Sequence, residues 1–94
     1  MLRVVICLRL LQKSVEVIAW FDSKGNLIPI KFRYLDDREG FIKVKVDKVI
    51  EKHIDKFAGN KILRYKCETN HNNVLKLFEL CYELETCRWY LYKM

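Results

Sequence analysis

The sequence predicts a mainly β domain, a small antiparallel meander barrel or sandwich of SH3- or OB-like type. Three observations carry that reading. Turn-forming clusters punctuate the chain: DSKGN ending at Asn26, DDREG over Asp36–Gly40, AGN over Ala58–Asn60 and NHNN over Asn70–Asn73. The segments between them are rich in Val, Ile, Phe and Tyr and mostly alternate apolar with polar residues, the period of a half-buried strand. The 94 residues are 51% hydrophobic and 32% charged, enough for one modest core and too apolar for a disordered chain. Residues 1–94 are read as a single domain, which excludes scaffolds of roughly 200 residues or more such as the TIM barrel.

The first element is the least defined. Leu2, Val4, Ile6, Leu8 and Leu10 alternate with Arg3, Val5, Cys7, Arg9 and Leu11. That pattern suits an edge strand or an arm over residues 1–13. Arg3 and Arg9 interrupt the apolar run, no small-residue cleavage site follows it, and it falls short of the roughly 20 residues that span a bilayer. The expectation is a cytoplasmic protein with no membrane partner.

Val15–Asp22 and Leu27–Tyr34 are expected to form a hairpin around Lys24-Gly25. This register sets Phe21 against Ile28, Ala19 against Ile30, Val17 against Phe32 and Val15 against Tyr34, all on one inner face. The turn at Asp36–Gly40 continues that face, with Tyr34 opposite Ile42, Phe32 opposite Val44 and Ile30 opposite Val46. In the C-terminal half, a turn at His71-Asn72 sets Cys67 against Lys76, Tyr65 against Phe78 and Leu63 against Leu80. A turn at Glu85-Thr86 sets Leu84 against Cys87, Tyr82 against Trp89 and Leu80 against Leu91. Two meanders emerge, 15–46 and 61–92, and each needs the other to cover its apolar face.

Asp47–Gly59 admits two readings. One is a short helix within 47–58, with Asp47 as N-cap, Gly59 past its end, and Val49, Ile50, Ile54 and Phe57 on one face. The other is a strand that turns at Ala58–Asn60, setting Ile54 against Leu63 and Ile50 against Cys67. It points Lys48 and Lys52 inward unless a bulge intervenes.

The runs VEVIAWFDSKGNLIPIKFR, IKVKVDKVI, FAGNK and FELCYELETCRWYLYKM resemble a family of short, uncharacterised bacterial proteins of about this length. The markers are Phe21, Asp22, Gly25, Pro29 and Phe32, the AGN turn, and the closing Thr86, Cys87, Trp89 and Leu91. The resemblance covers roughly Ser14 to Met94. It implies a small β-rich fold, favours the hairpin over the helix at 47–60, and carries no catalytic residue across.

The net charge of +6 comes from 18 Lys and Arg against 12 Asp and Glu. On the proposed strands, the outward positions include Lys31, Arg33, Lys43, Lys45, Arg64 and Lys66, a candidate face for an anionic partner. Trp20 and Phe41 share the outward parity and offer apolar or aromatic contact. Glu16 opposite Arg33, Arg64 opposite Glu79 and Glu83 opposite Arg88 read as solvated ion pairs, and strand lysines also deter edge aggregation. Ile18, Leu27, Leu35, Leu75, Leu77, Tyr90 and Tyr92 add apolar surface outside the inner face, available to a protein partner or a second copy.

Catalysis is not expected. His71 near Cys67, and the turn carboxylates Asp36, Asp37 and Glu39, lack the third group or spacing that a reactive centre needs. Cys67, His71, Cys81 and Cys87 have no tight ligand pair of the zinc type, and the four cysteines suit reduced thiols. No cofactor, metal or small-molecule substrate is inferred. The sequence therefore points to a non-enzymatic protein-interaction or self-associating module, a homo-oligomer included. Nucleic-acid binding on the basic strand face is the alternative.

Overall fold

The computed structural model describes residues 3–5 and 10–94. Among these residues are eight strands: β1 (Arg3–Val5), β2 (Leu10–Phe21), β3 (Leu27–Asp36), β4 (Gly40–Lys45), β5 (Lys48–Phe57), β6 (Asn60–His71), β7 (Val74–Glu83) and β8 (Arg88–Lys93). Seven run antiparallel in the order β4-β3-β2-β8-β7-β6-β5, and β1 pairs in parallel with Val74–Lys76 of β7. The mainly β, small-barrel expectation holds. Arg3–Val5 lies within the arm expected over 1–13, and Leu10–Lys13 begins β2. The remainder of that arm lies outside the described residues.

β2 joins the two meanders. Its first half pairs with β8 (Lys13↔Leu91, Val15↔Trp89) and its second half with β3 (Glu16↔Arg33, Val17↔Phe32). The sheet is rolled, and the corner between β4 and β5 proves it. The Val46 N–H donates to the Ile30 carbonyl of β3, while the next N–H, of Asp47, donates to the Glu68 carbonyl of β6. Two successive residues reach strands four places apart in the sheet, so its two ends meet at this corner.

Inside the roll, Phe32, Tyr65, Cys67, Phe78, Leu80 and Leu91 form the buried core. Val15, Val17, Tyr34, Val44, Val49, Leu63 and Trp89 pack around it. Phe32 and Phe78 meet with ring centroids 5.3 Å apart, and Tyr82 and Trp89 at 4.9 Å. Tilted aromatic pairs of this kind add to the area they bury.

Several expected registers are found: Val17↔Phe32, Tyr34↔Ile42, Phe32↔Val44, Ile54↔Leu63, Tyr82↔Trp89 and Leu80↔Leu91. Three corrections matter for the surface. The β2–β3 loop is five residues long, Asp22–Asn26, closed by Phe21↔Leu27. Asp22 builds it: its carboxylate accepts the Lys24 and Asn26 N–H groups and the Asn26 side chain. These bonds hold the Asp22 carboxyl below its usual pKa, the Asn26 side chain most strongly.

The resulting one-residue offset is absorbed by a bulge at Ile30, between Ala19↔Pro29 and Ile18↔Lys31. Up to the bulge, Leu27 and Pro29 are buried, so Leu27 is not an outward residue. Ile28, expected inside, lies on the outer surface opposite Trp20, and Ile30 is also exposed. Phe21 keeps the inward parity but sits beyond the core at the hairpin tip, where it is exposed.

The second correction is at β6–β7. The loop is Asn72-Asn73, both with positive φ, and the register is Tyr65↔Leu80 and Cys67↔Phe78. The two-residue slide preserves every side chain's face. The third is the helix within 47–58, which is overturned. Lys48–Phe57 is a strand, and a bulge at Ile50 turns Val49 against Cys67 and Lys48 outward, opposite Glu68. Lys52 does stay on the inner side, with its ammonium 5.5 Å from the centre of the Tyr65 ring. Asp47 caps no helix, because its carboxylate accepts the Asn70 N–H at 2.6 Å and the Thr69 hydroxyl at 3.3 Å.

Candidate binding surfaces

The β2–β3–β4 arm presents its outer face to solvent. The ladder sets its residues in rows: Glu16, Arg33 and Lys43 in one, Ile18, Lys31 and Lys45 in the next, Trp20 and Ile28 nearest the hairpin tip. Ile18 is 58% exposed, Trp20 64% and Phe21 66%. Ile28, Ile30, Leu35 and Phe41 are exposed on the same arm. Large apolar side chains usually avoid such clustering unless the surface docks something.

Four of the six cations expected to act together do so. Lys31 lies directly opposite Lys45, and Arg33 opposite Lys43. The Arg33 guanidinium is committed locally: its Nε bonds Glu16 Oε2 at 2.5 Å, and it stacks over the Phe41 ring at 4.3 Å. Among the described residues no carboxylate lies within ion-pair distance of Lys31, Lys43 or Lys45. Like charges facing across a ladder cost stability. A hollow of about 410 Å³ lies beside them, lined by Glu16, Val17, Ile18, Lys31, Arg33 and Lys43 among others.

Arg64 and Lys66 are not part of this face. They sit on β6, four places from β3 in the sheet. Arg64 Nε lies 2.8 Å from Asp55 Oδ2, and its guanidinium packs over the Tyr92 ring at 4.6 Å. Lys66 pairs with Glu51 at 3.5 Å. The six cations thus divide into a cluster of four and a pair already matched by carboxylates.

The structure also adds a feature with no local sequence signal. Beyond the Val46–Asp47 corner the edges of the rolled sheet part. They leave a cleft of about 980 Å³ between β4 and the end of the β6–β7 hairpin. Tyr34, Ile42, Val44, Val74, Leu77 and Met94 give it apolar walls, and Thr69, Asn70, His71 and Lys76 a polar rim. Its walls come from segments about 30 residues apart in the chain, which is why sequence reading missed it.

The cysteines take separate places. Cys67 is buried in the core, Cys81 is buried on the opposite face of the sheet beside Arg64, and Cys87 is exposed. Burial pushes the Cys67 thiol up to about 12 and the Cys81 thiol to about 11, so both are protonated and unreactive near neutral pH. Among the described residues no helix is long and apolar enough to cross a membrane. No protein-family model, curated protein or solved structure matches this chain.

Proposed function

We propose that the chain is a non-enzymatic protein-interaction module that docks partners, its own copies included, through the outer face and tip of the β2–β3–β4 arm. The observation that carries this reading is the clustering of exposed Ile18, Trp20, Phe21, Ile28, Ile30, Leu35 and Phe41 on one three-stranded arm. Burying such side chains against a partner contributes about 25 cal/mol per Å² of apolar surface. The lysines beside them set orientation and favour an acidic rim on the partner.

Two measurements test it. Light scattering across concentration should show mass rising above the monomer, with the rise weakened by Trp20→Ser and Phe41→Ser together. A photo-crosslinking residue at position 20 should form protein adducts in cells that the same residue at position 85 does not. A strict monomer with no position-specific adducts would overturn the reading.

Nucleic-acid binding is the second reading, supported by the unpaired Lys31, Lys43 and Lys45 beside exposed Trp20. A salt titration separates the two. Polynucleotide affinity should fall steeply with log salt, and Lys31→Glu with Lys45→Glu should abolish it. No binding at about 50 mM salt removes this reading.

A further inference from the structure

The cleft has an unusual border. β4 is an end strand, and among the described residues nothing pairs with its outer edge. The Val46 N–H bonds Ile30, so Val44, Ile42 and Gly40 share the orientation toward β3. The backbone groups of Phe41, Lys43 and Lys45 therefore face away, along the cleft. On the opposite wall, Asp47 already occupies the Asn70 N–H at the β6 edge. One lip of the cleft is capped, and the other offers three free N–H and C=O pairs.

Resting on the protein-interaction reading, we propose that β4 takes up an extended peptide of a partner protein as an added antiparallel strand, with acidic and apolar residues in alternation. Strand addition satisfies the free backbone groups, and alternation follows from the pleat. Residues of the peptide opposite Lys43 and Lys45 share their outward face, so carboxylates there meet ammonium groups that no described carboxylate approaches within ion-pair distance. The residues between them turn inward, toward Ile42, Val44 and Tyr34 on one wall and Val74 and Met94 on the other.

The charge around the cleft agrees. Lys43, Lys45 and Lys76 border it with His71, against the single carboxylate of Glu39. A second copy of β4 is a poor occupant, because it would set lysines against lysines. The edge of β5 is no better, because its inward positions would bring Lys52 and Lys56 toward Lys76.

The probe is a fluorescein-labelled peptide, acetyl-Glu-Val-Glu-Val-Glu-Val-Glu-amide, read by anisotropy against the full chain. It should bind saturably and slow amide exchange at Phe41, Lys43 and Lys45. Lys43→Pro removes a free edge N–H without touching the β3 ladder, and should weaken binding at least tenfold. If that variant does not fold, N-methylation of alternate peptide amides makes the same test on the unaltered protein. Lys43→Glu with Lys45→Glu should reverse the preference, toward a peptide with Lys in place of Glu.

Absence of saturable binding overturns the proposal. So does binding that ignores both N-methylation and Lys43→Pro, or protection of these amides by an oligothymidylate in place of the peptide. Glu85→Ser, in the exposed β7–β8 turn outside both surfaces, should leave peptide affinity within twofold. Failure at β4 with adducts retained at position 20 therefore refutes strand addition alone.

Discussion

The Tyr65 hydroxyl donates a hydrogen bond of 2.5 Å to the Leu27 carbonyl oxygen in the protein interior, across 38 residues of chain. It fixes the start of β3 to the middle of β6 and so holds the β2–β3–β4 arm against the rest of the rolled sheet. Tyr65→Phe keeps the ring and leaves the buried carbonyl without its partner. The expected loss is about 1–3 kcal/mol. That lowers the melting temperature by roughly 4–8 °C for each kcal/mol in a domain of this size. Thermal unfolding of the two proteins checks it.

The alkaline limit of stability follows from the same core. Burial raises Tyr65 from 10.0 to about 12, Cys67 from 9.0 to about 12 and Cys81 from 9.0 to about 11. Each group is held neutral in the folded state and ionises more readily when unfolded. Their stabilising contribution is complete below pH 9 and is lost progressively as the pH rises toward 12. Denaturant midpoints should be flat from pH 7 to pH 8.5 and fall above that window. Cys67→Ala should lower the whole curve, because it opens a cavity, and should also flatten its alkaline limb.

The tight turn between β5 and β6 carries a correctable strain. Ala58 and Gly59 both have positive φ, 51° and 86°. That is the geometry of a two-residue hairpin turn that favours Asn-Gly. Ala58→Asn relieves an alanine held in the left-handed region and should stabilise the fold by about 0.5–1 kcal/mol. Chemical denaturation reads the gain, and an unchanged or lowered midpoint contradicts it.

Asp47 is the pin of the β4–β5 corner. Asp47→Ala removes the acceptor of the Asn70 N–H and the Thr69 hydroxyl, at a cost of about 0.5–1.5 kcal/mol because water reaches the exposed end. Asp47→Asn keeps one carbonyl acceptor and should cost less. Beyond stability, Asp47→Ala should speed amide exchange at Asn70.

The lysine face should trade stability for binding. Lys45→Glu replaces a like-charge pair with Lys31 by an opposite pair, for a gain of roughly 0.2–1 kcal/mol. The same change should weaken any acidic partner. A variant that is both less stable and equally competent in binding would show that Lys45 serves packing instead.

Much of the architecture was legible because pairing across a ladder and alternation along a strand are local rules. Val17 with Phe32, Phe32 with Val44 and Tyr82 with Trp89 each place one apolar residue opposite another on a face fixed by alternation. The β6–β7 turn was also within reach. Asn72 and Asn73 both belong to the residue type that most readily accepts positive φ in a two-residue turn. The four-cation face was legible for the same reason, because Lys31, Arg33, Lys43 and Lys45 lie on two strands of one hairpin.

Residue order alone specifies the strand class, the hairpin succession, most of the core and the charged rows of the β3–β4 hairpin. Alternation and turn chemistry act within a few residues, so they are written in the local order of the chain. Where the sheet bends is set by packing between distant segments. Bulges at Ile30 and Ile50 move Leu27, Pro29 and Val49 inward and Ile28 outward, and each bulge bends its strand and strengthens its twist. The tertiary fold also assigns Arg64 and Lys66 to another surface, neutralised by Asp55 and Glu51. The free edge of β4 and its cleft exist because the ends of the sheet meet at Val46–Asp47 and part beyond it. That closure balances long-range contacts no local pattern records.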